Sequence, residues 1–159
     1  MKIDVIAVGR LKEKYLRDAC TEYEKRLSRY CRLTVTEVAD EKTPEQAGDA
    51  VNEKIKELEA QRVLKHLKED AFIITLEIKG EEMDSEELAE RMDRLTISGV
   101  SHFQFVIGGS LGLSPLVTEK SRLHLSFSRL TFPHQLMRVM LLEQLYRSFK
   151  INTGEPYHK

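Results

Sequence analysis

Apolar positions along the chain recur with two periods. Ile3 to Val8 is a short, largely β-branched run closed by Gly9, which predicts a buried strand. Leu11, Tyr15, Ala19, Tyr23, Leu27 and Tyr30 fall at helical spacing and predict an amphipathic helix with that stripe inward. Leu33 to Val38 predicts a second strand. Asp40 to Thr43 is a polar loop, and Pro44 suits the first position of a helix. That helix is long and charged; Val51, Ile55, Leu58 and Leu67 mark its inner side, its charged face reads as solvated surface, and Gly48 weakens its first turn. Ala71 to Ile78 predicts a third strand, apolar enough to be covered on both faces, with a turn at Lys79-Gly80. Asp84 with Glu87 three residues later is a capping pair for a helix through Leu88, Met92 and Leu95. His102 to Ile107 predicts a fourth strand running straight into Gly108-Gly109-Ser110. Ser114-Pro115 combines a cap with a first-turn proline and predicts a short helix. Leu123, Leu125 and Phe127 alternate with His124, Ser126 and Ser128, as in a fifth strand with one polar face. Pro133 opens a last helix to about Phe149, Asn152-Thr153-Gly154 ends it, and Glu155 to Lys159 form a tail.

Strands alternating with helices predict an α/β fold: a mostly parallel sheet with helices on both faces. The chain has 159 residues, with no internal repeat and no linker, so a single domain over 1–159 is expected. The last helix carries Leu136, Val139 and Met140, then a second set, Leu142, Leu145, Tyr146 and Phe149. That is more apolar surface than one sheet contact needs, and it predicts a partner chain on the other side.

Composition narrows the class. Hydrophobic residues are 41% and charged residues 32%, which excludes disordered and low-complexity chains. No run approaches the ~20 apolar residues of a membrane span. Met1-Lys2-Ile3-Asp4-Val5 lacks the pattern of a signal peptide, and Cys20 and Cys31 fit neither a disulfide framework nor a metal site. A cytoplasmic protein with reduced thiols is expected. The net charge of −1 argues against a nucleic-acid binder, but its distribution does not. Residues 120–159 hold seven basic residues against two acidic ones, and three of the five histidines, while the rest of the chain is acidic. Such asymmetry predicts an anionic partner for the C-terminal quarter.

In an open parallel sheet, ligands bind beyond the carboxyl ends of the strands. Three such ends are candidates: Leu76 to Gly80, Gly108 to Gly112 and Phe127 to Phe132. The glycines at 108, 109 and 112 leave the backbone bare for a ligand or a tight turn. Neither a dinucleotide fingerprint nor a P-loop fits them. No H-E-x-x-H, Cys/His cluster or calcium loop is present, so no metal is expected. Ser110 lacks the nucleophile-elbow pattern, and Cys20 reads as core. His66 and His102 read as surface residues; His124 and His134 flank the basic strand–helix region; His158 stands in the tail between Tyr157 and Lys159.

Five segments carry a resemblance: Ile6 to Lys12, Ile74 to Gly80, Phe105 to Leu113, Leu125 to Arg138 and Gly154 to Lys159. Together they resemble the RlmH family, the smallest of the SPOUT RNA methyltransferases, over the whole chain. The resemblance implies a C-terminal trefoil knot, which general topology rules would reject, and a homodimer packed through the last helix. It implies S-adenosylmethionine held by Leu76, Gly108 and the segment Phe127, Ser128, Arg129, Leu130, Thr131 and Phe132. The implied reaction is methylation at N3 of a pseudouridine in large-subunit ribosomal RNA, in a helix that meets the small subunit. A small chain without an added RNA-binding domain relies on composite surfaces, so the assembled ribosome is the expected substrate. An imide nitrogen attacks only after losing its proton, which a histidine near neutral pKa, or a cationic group stabilising the anion, would serve. His158 is the candidate, with Tyr157 positioning the RNA base and Arg129 or Arg138 binding phosphate. Arg147 and Lys159 are further candidates for RNA contact. Two other readings are a noncatalytic ribosome-associated module and a nucleotide-binding regulator with its ligand at Gly108. The bare glycine loop argues against the first, and the tail against the second.

Overall fold

The structure, a computed structural model, describes residues 1–159. Five strands, β1 (Lys2–Val8), β2 (Arg32–Val38), β3 (Phe72–Glu82), β4 (His102–Ile107) and β5 (Leu123–Ser126), form one parallel sheet in the order β2-β1-β4-β3-β5. Helices α1 (Lys14–Leu27), α2 (Asp49–Leu64), α3 (Ser85–Ile97), α4 (Pro115–Thr118) and α5 (His134–Asn152) connect and follow them. Alternation along the strands sorts the core into two layers. Ile3, Val5, Phe103, Phe105 and Ile107 meet Cys20 and Leu27 of α1, Leu88 and Met92 of α3, and Leu141, Leu142 and Leu145 of α5. Ile6, Val8, Ile73 and Val106 face the other way, against Ala60 and Val63 of α2 and Val117 of α4. Helices therefore cover both faces of a parallel sheet, as the alternation predicts, and none is long and apolar enough to cross a membrane.

Several elements differ in detail from the sequence reading. α1 buries Leu16, Cys20 and Leu27, whereas Tyr15 is 69% exposed. Leu16 and Cys20 take the inward places predicted for Tyr15 and Ala19, whereas Tyr23 and Leu27 keep theirs; Leu11 packs on the same core from ahead of the helix, which starts at Lys14. α2 starts at Asp49 after an N-cap at Gly48, and Pro44 lies outside it. Its inner face is Ile55, Glu59, Ala60 and Val63, with Val51 and Leu58 exposed. Glu59 is tolerated inside because its carboxylate accepts the Glu41 N–H at 3.0 Å. Lys79-Gly80 does not end β3. The strand runs on to Glu82, and its register against β5 jumps between Leu76 and Glu81. Gly80 is needed there because a Cβ would stand 2.7 Å from the His124 carbonyl oxygen. Ser126 is buried within the supposed polar face of β5, and its hydroxyl donates to the Ile78 carbonyl at 2.8 Å.

His102 is buried rather than exposed. Its Nε2 lies 2.7 Å from Asp4 Oδ2. Gln104 completes the cluster: its amide donates to Asp4 and to the His66 carbonyl, both at 2.9 Å, and its oxygen accepts the Lys68 N–H at 2.8 Å. Polar positions on buried strands thus find partners, as burial requires. Cys20 is core, and burial pushes its thiol up to about 11, which leaves it protonated at neutral pH. Both predicted caps form: Asp84 and Glu87 in a reciprocal box, Ser114 with Pro115.

Candidate active site

All five strands run parallel, so their carboxyl ends lie on one edge, where three loops meet. They wall a cleft of about 930 Å³, within the usual size of small-molecule sites. Seven of the predicted cofactor residues line it: Leu76, Gly108, Phe127, Ser128, Leu130, Thr131 and Phe132. Arg129 does not. Its side chain is exposed and points to Glu82, 3.8 Å away. The cleft also takes Glu77 and Lys79 from the β3 bulge, Lys56 from α2, and His134 and Met137 from α5. Glu77 and Lys79 fell inside a strand end already singled out. Lys56 had no sequence signal, because its helix is distant along the chain.

Local backbone explains the loops. At Gly108 a Cβ would meet the Gly112 carbonyl carbon at 2.8 Å, so the glycine serves the fold-back of its own loop. Gly112 has φ +83°, a left-handed conformation that favours glycine. The N–H groups of Gly108, Ser110 and Leu111 find no acceptor in the chain; nor do those of Arg129, Thr131 and Phe132, while Leu130 donates to Ser128 Oγ at 3.0 Å. Two loops therefore present free backbone donors along the cleft. His134 opens α5 beside Gly9, and burial holds its imidazole below the usual histidine range, so it is neutral at pH 7.

Arg138 is corrected by the structure. Its side chain is 3% exposed, pairs with Glu37 at 2.5 Å and donates to the Gly9 carbonyl at 3.0 Å, so it is not open to an RNA phosphate. The tail is also not loose. Gly154 turns with φ +69°, and Glu155 accepts from the Tyr30 hydroxyl at 2.7 Å, Lys150 at 2.8 Å and Thr153 at 2.9 Å. Tyr157 packs edge-on against Tyr146, ring centres 4.9 Å apart, and donates to Glu143 at 3.1 Å. Arg147 lies over the Tyr157 ring, chelates Glu143, and donates to His158 Nδ1 at 3.1 Å. A guanidinium can only donate, so Nδ1 is the acceptor and the His158 proton sits on Nε2, 3.5 Å from Glu86. Lys159 is exposed.

Docking of the tail has a pH dependence. Hydrogen bonds from Lys150, Tyr30 and Thr153 hold the Glu155 carboxyl at about 2, below its ordinary 4.5. A depressed carboxyl contributes stability that is full above 4.5 and is lost as the pH falls toward 2. Tyr157 and His158 resonances should therefore shift to released positions over that acid window, and Glu155→Gln should release them at neutral pH. A tail still docked at pH 7 in Glu155→Gln would show that Tyr157 and Arg147 suffice.

The fold and cleft define a class: a parallel α/β protein with a cleft of small-molecule size built from strand-end loops instead of a dinucleotide turn. Residues 1–158 match the family model described as "Predicted SPOUT methyltransferase". Over all 159 residues and the full length of each relative, the chain is 60% identical to the "Ribosomal RNA large subunit methyltransferase H" of Bifidobacterium animalis and 58% identical to that of Bifidobacterium adolescentis. The chain belongs to the SPOUT methyltransferases and, within them, to the RlmH family. It is a methyltransferase. The Legionella pneumophila protein Lpg2936, solved with bound S-adenosylmethionine, shares the fold with a TM-score of 0.53 at 10% identity, over 94% of this chain and 66% of that one.

Proposed function

We propose that the enzyme transfers a methyl group from S-adenosylmethionine to N3 of a pseudouridine in large-subunit ribosomal RNA, acting in the cytoplasm as a homodimer on the assembled ribosome. The observation that carries this reading is the cleft itself, lined by Leu76, Gly108, Phe127, Ser128 and Leu130 to Phe132 in a chain whose full-length relatives are named ribosomal RNA methyltransferases. S-adenosylmethionine fits the residues present. Apolar walls suit an adenine, and the free N–H groups of two loops suit its ring nitrogens and a carboxylate.

The donor supplies an activated methyl group; the protein has to align the RNA base and remove its N3 proton. His158 Nδ1 takes that proton. In the docked tail this lone pair accepts from Arg147, so Arg147 must turn to another acceptor, such as an RNA phosphate, before Nδ1 is free. His134 at the cleft and Arg147 beside the tail are 13 residues apart on α5, about 20 Å at 1.5 Å per residue. Cleft and tail of one chain are thus far apart, which supports a site completed by a second copy. Leu136, Val139 and Met140 leave apolar surface on α5 for it, beside a groove of about 460 Å³ lined by Leu88, Phe127 and Val139. The test is mass spectrometry of ribosomal RNA after incubating the enzyme and S-adenosylmethionine with assembled ribosomes, separated subunits or free RNA. A methylated pseudouridine from assembled ribosomes is expected. Its absence from all three substrates overturns the reading.

A further inference from the structure

The cleft holds one acidic side chain. Among its lining residues Glu77 alone carries a carboxylate, beside two lysines, Lys56 and Lys79, and a majority of apolar or glycine positions. Its conformation is fixed from behind. Oε2 accepts the Thr75 hydroxyl at 2.6 Å and is also paired with His124 Nδ1. Thr75 is itself fully buried, and its oxygen lies 2.8 Å from Ser121 Oγ, so the support extends to the start of β5. Oε1 has no hydrogen-bond partner in the chain. A carboxylate clamped through one oxygen, with the other left free, is a prepositioned acceptor in a largely apolar site.

Neutral acceptors and donors are plentiful here, since three loops supply backbone carbonyl and N–H groups. Negative charge is not. The adenine and ribose of a bound nucleoside can be served by backbone, whereas a cation taken from water into an apolar cleft calls for a counter-charge. Resting on the S-adenosylmethionine reading above, we propose that Glu77 is the counter-charge for the donor's sulfonium and that it distinguishes the charged donor from the neutral product. Methyl transfer removes the positive charge from sulfur. The attraction to Glu77 then disappears, and the spent S-adenosylhomocysteine is released from a cleft that held the donor more tightly. Thr75 and His124 are positioning residues in this arrangement: they aim the carboxylate and touch no ligand.

Calorimetric titration of Glu77→Gln with three probes tests the assignment. S-adenosylmethionine and sinefungin both carry positive charge at the position of the sulfur, and S-adenosylhomocysteine carries none. The variant should bind the two charged probes about 10-fold or more weakly, a change of one 1.4 kcal/mol step, and the neutral product within about 2-fold of wild type. Equal weakening of all three would assign Glu77 to the ribose or the amino group instead and overturn the proposal; so would unchanged binding. Thr75→Val keeps the charge and removes one clamp, so it should give a smaller loss with the same selectivity. It serves as the readout if Glu77→Gln melts early. Wild-type protein that bound none of the probes would instead remove the cofactor reading itself.

Discussion

Gly108→Val abolishes S-adenosylmethionine binding and leaves the sheet folded: that is the result expected from the geometry of the glycine loop. A Cβ at this position stands 2.8 Å from the Gly112 carbonyl carbon and 3.0 Å from its oxygen and from the Leu113 side chain. Backbone cannot yield as a flexible side chain would, so residues 108 to 113 must rearrange. Overpacking of this kind costs about 1–3 kcal/mol, which a domain with roughly 5–15 kcal/mol of stability survives. The cleft does not survive it, because five consecutive residues of that loop, Gly108 to Gly112, line it. If binding requires the native loop, 3 kcal/mol corresponds to about a 100-fold loss. Titration with S-adenosylmethionine and a thermal melt together check this. Native affinity in a folded Gly108→Val variant would mean that the loop takes no part in holding the donor.

The second large effect belongs to the tail. His158→Ala should lower the single-turnover methylation rate at saturating ribosomes by roughly 10²–10⁴-fold, the usual contribution of a general base. S-adenosylmethionine affinity should stay near wild type, since His158 is not among the residues of the cleft. Stability should change little: the side chain is tied to Arg147 and Glu86 at the surface, while Glu155 and Tyr157 hold the tail independently. A residue that only contacted RNA would show its loss in ribosome affinity, recoverable at high ribosome concentration. A wild-type rate at saturation takes His158 out of the proton transfer.

Much of this architecture is legible in the sequence because local chemistry writes it there. The β-branched runs, the Asp84/Glu87 box and the Ser114-Pro115 start each fix an element from a few neighbouring residues. Parallel strands in turn put their loops on one carboxyl edge, so the three loops that wall the cleft are legible from the strand ends alone. What escaped depends on partners far along the chain. His102 reads as a surface residue until Asp4 is known to lie beside it, 98 positions away. Glu59 looks solvated until the Glu41 backbone needs an acceptor. Lys79-Gly80 has the composition of a turn, yet the glycine is there to admit the His124 carbonyl. The tail looks mobile because its anchors, Tyr30, Glu143 and Arg147, are unrelated to it by any period. Arg138 shows the same blindness with opposite sign, a basic residue counted for RNA that is spent inside the protein. A trefoil knot, by contrast, has no signature in periodicity; it enters only as what the family resemblance implies.

The buried Arg138 also sets an order of events during synthesis. Its hydrogen bond reaches the Gly9 carbonyl across 129 residues, joining nearly the first strand made to the last helix. Leu141, Leu142 and Leu145 on the same helix cover Phe103, Phe105 and Ile107 of the central strand. A chain that stops short of α5 has its whole sheet sequence but lacks one of the three helices that cover this face, and its cleft lacks His134 and Met137. Contacts at this separation form late, and apolar surface exposed meanwhile is an aggregation hazard. A chain cut short before α5 would therefore yield a polypeptide with exposed apolar surface and an incomplete cleft, not a weakened enzyme.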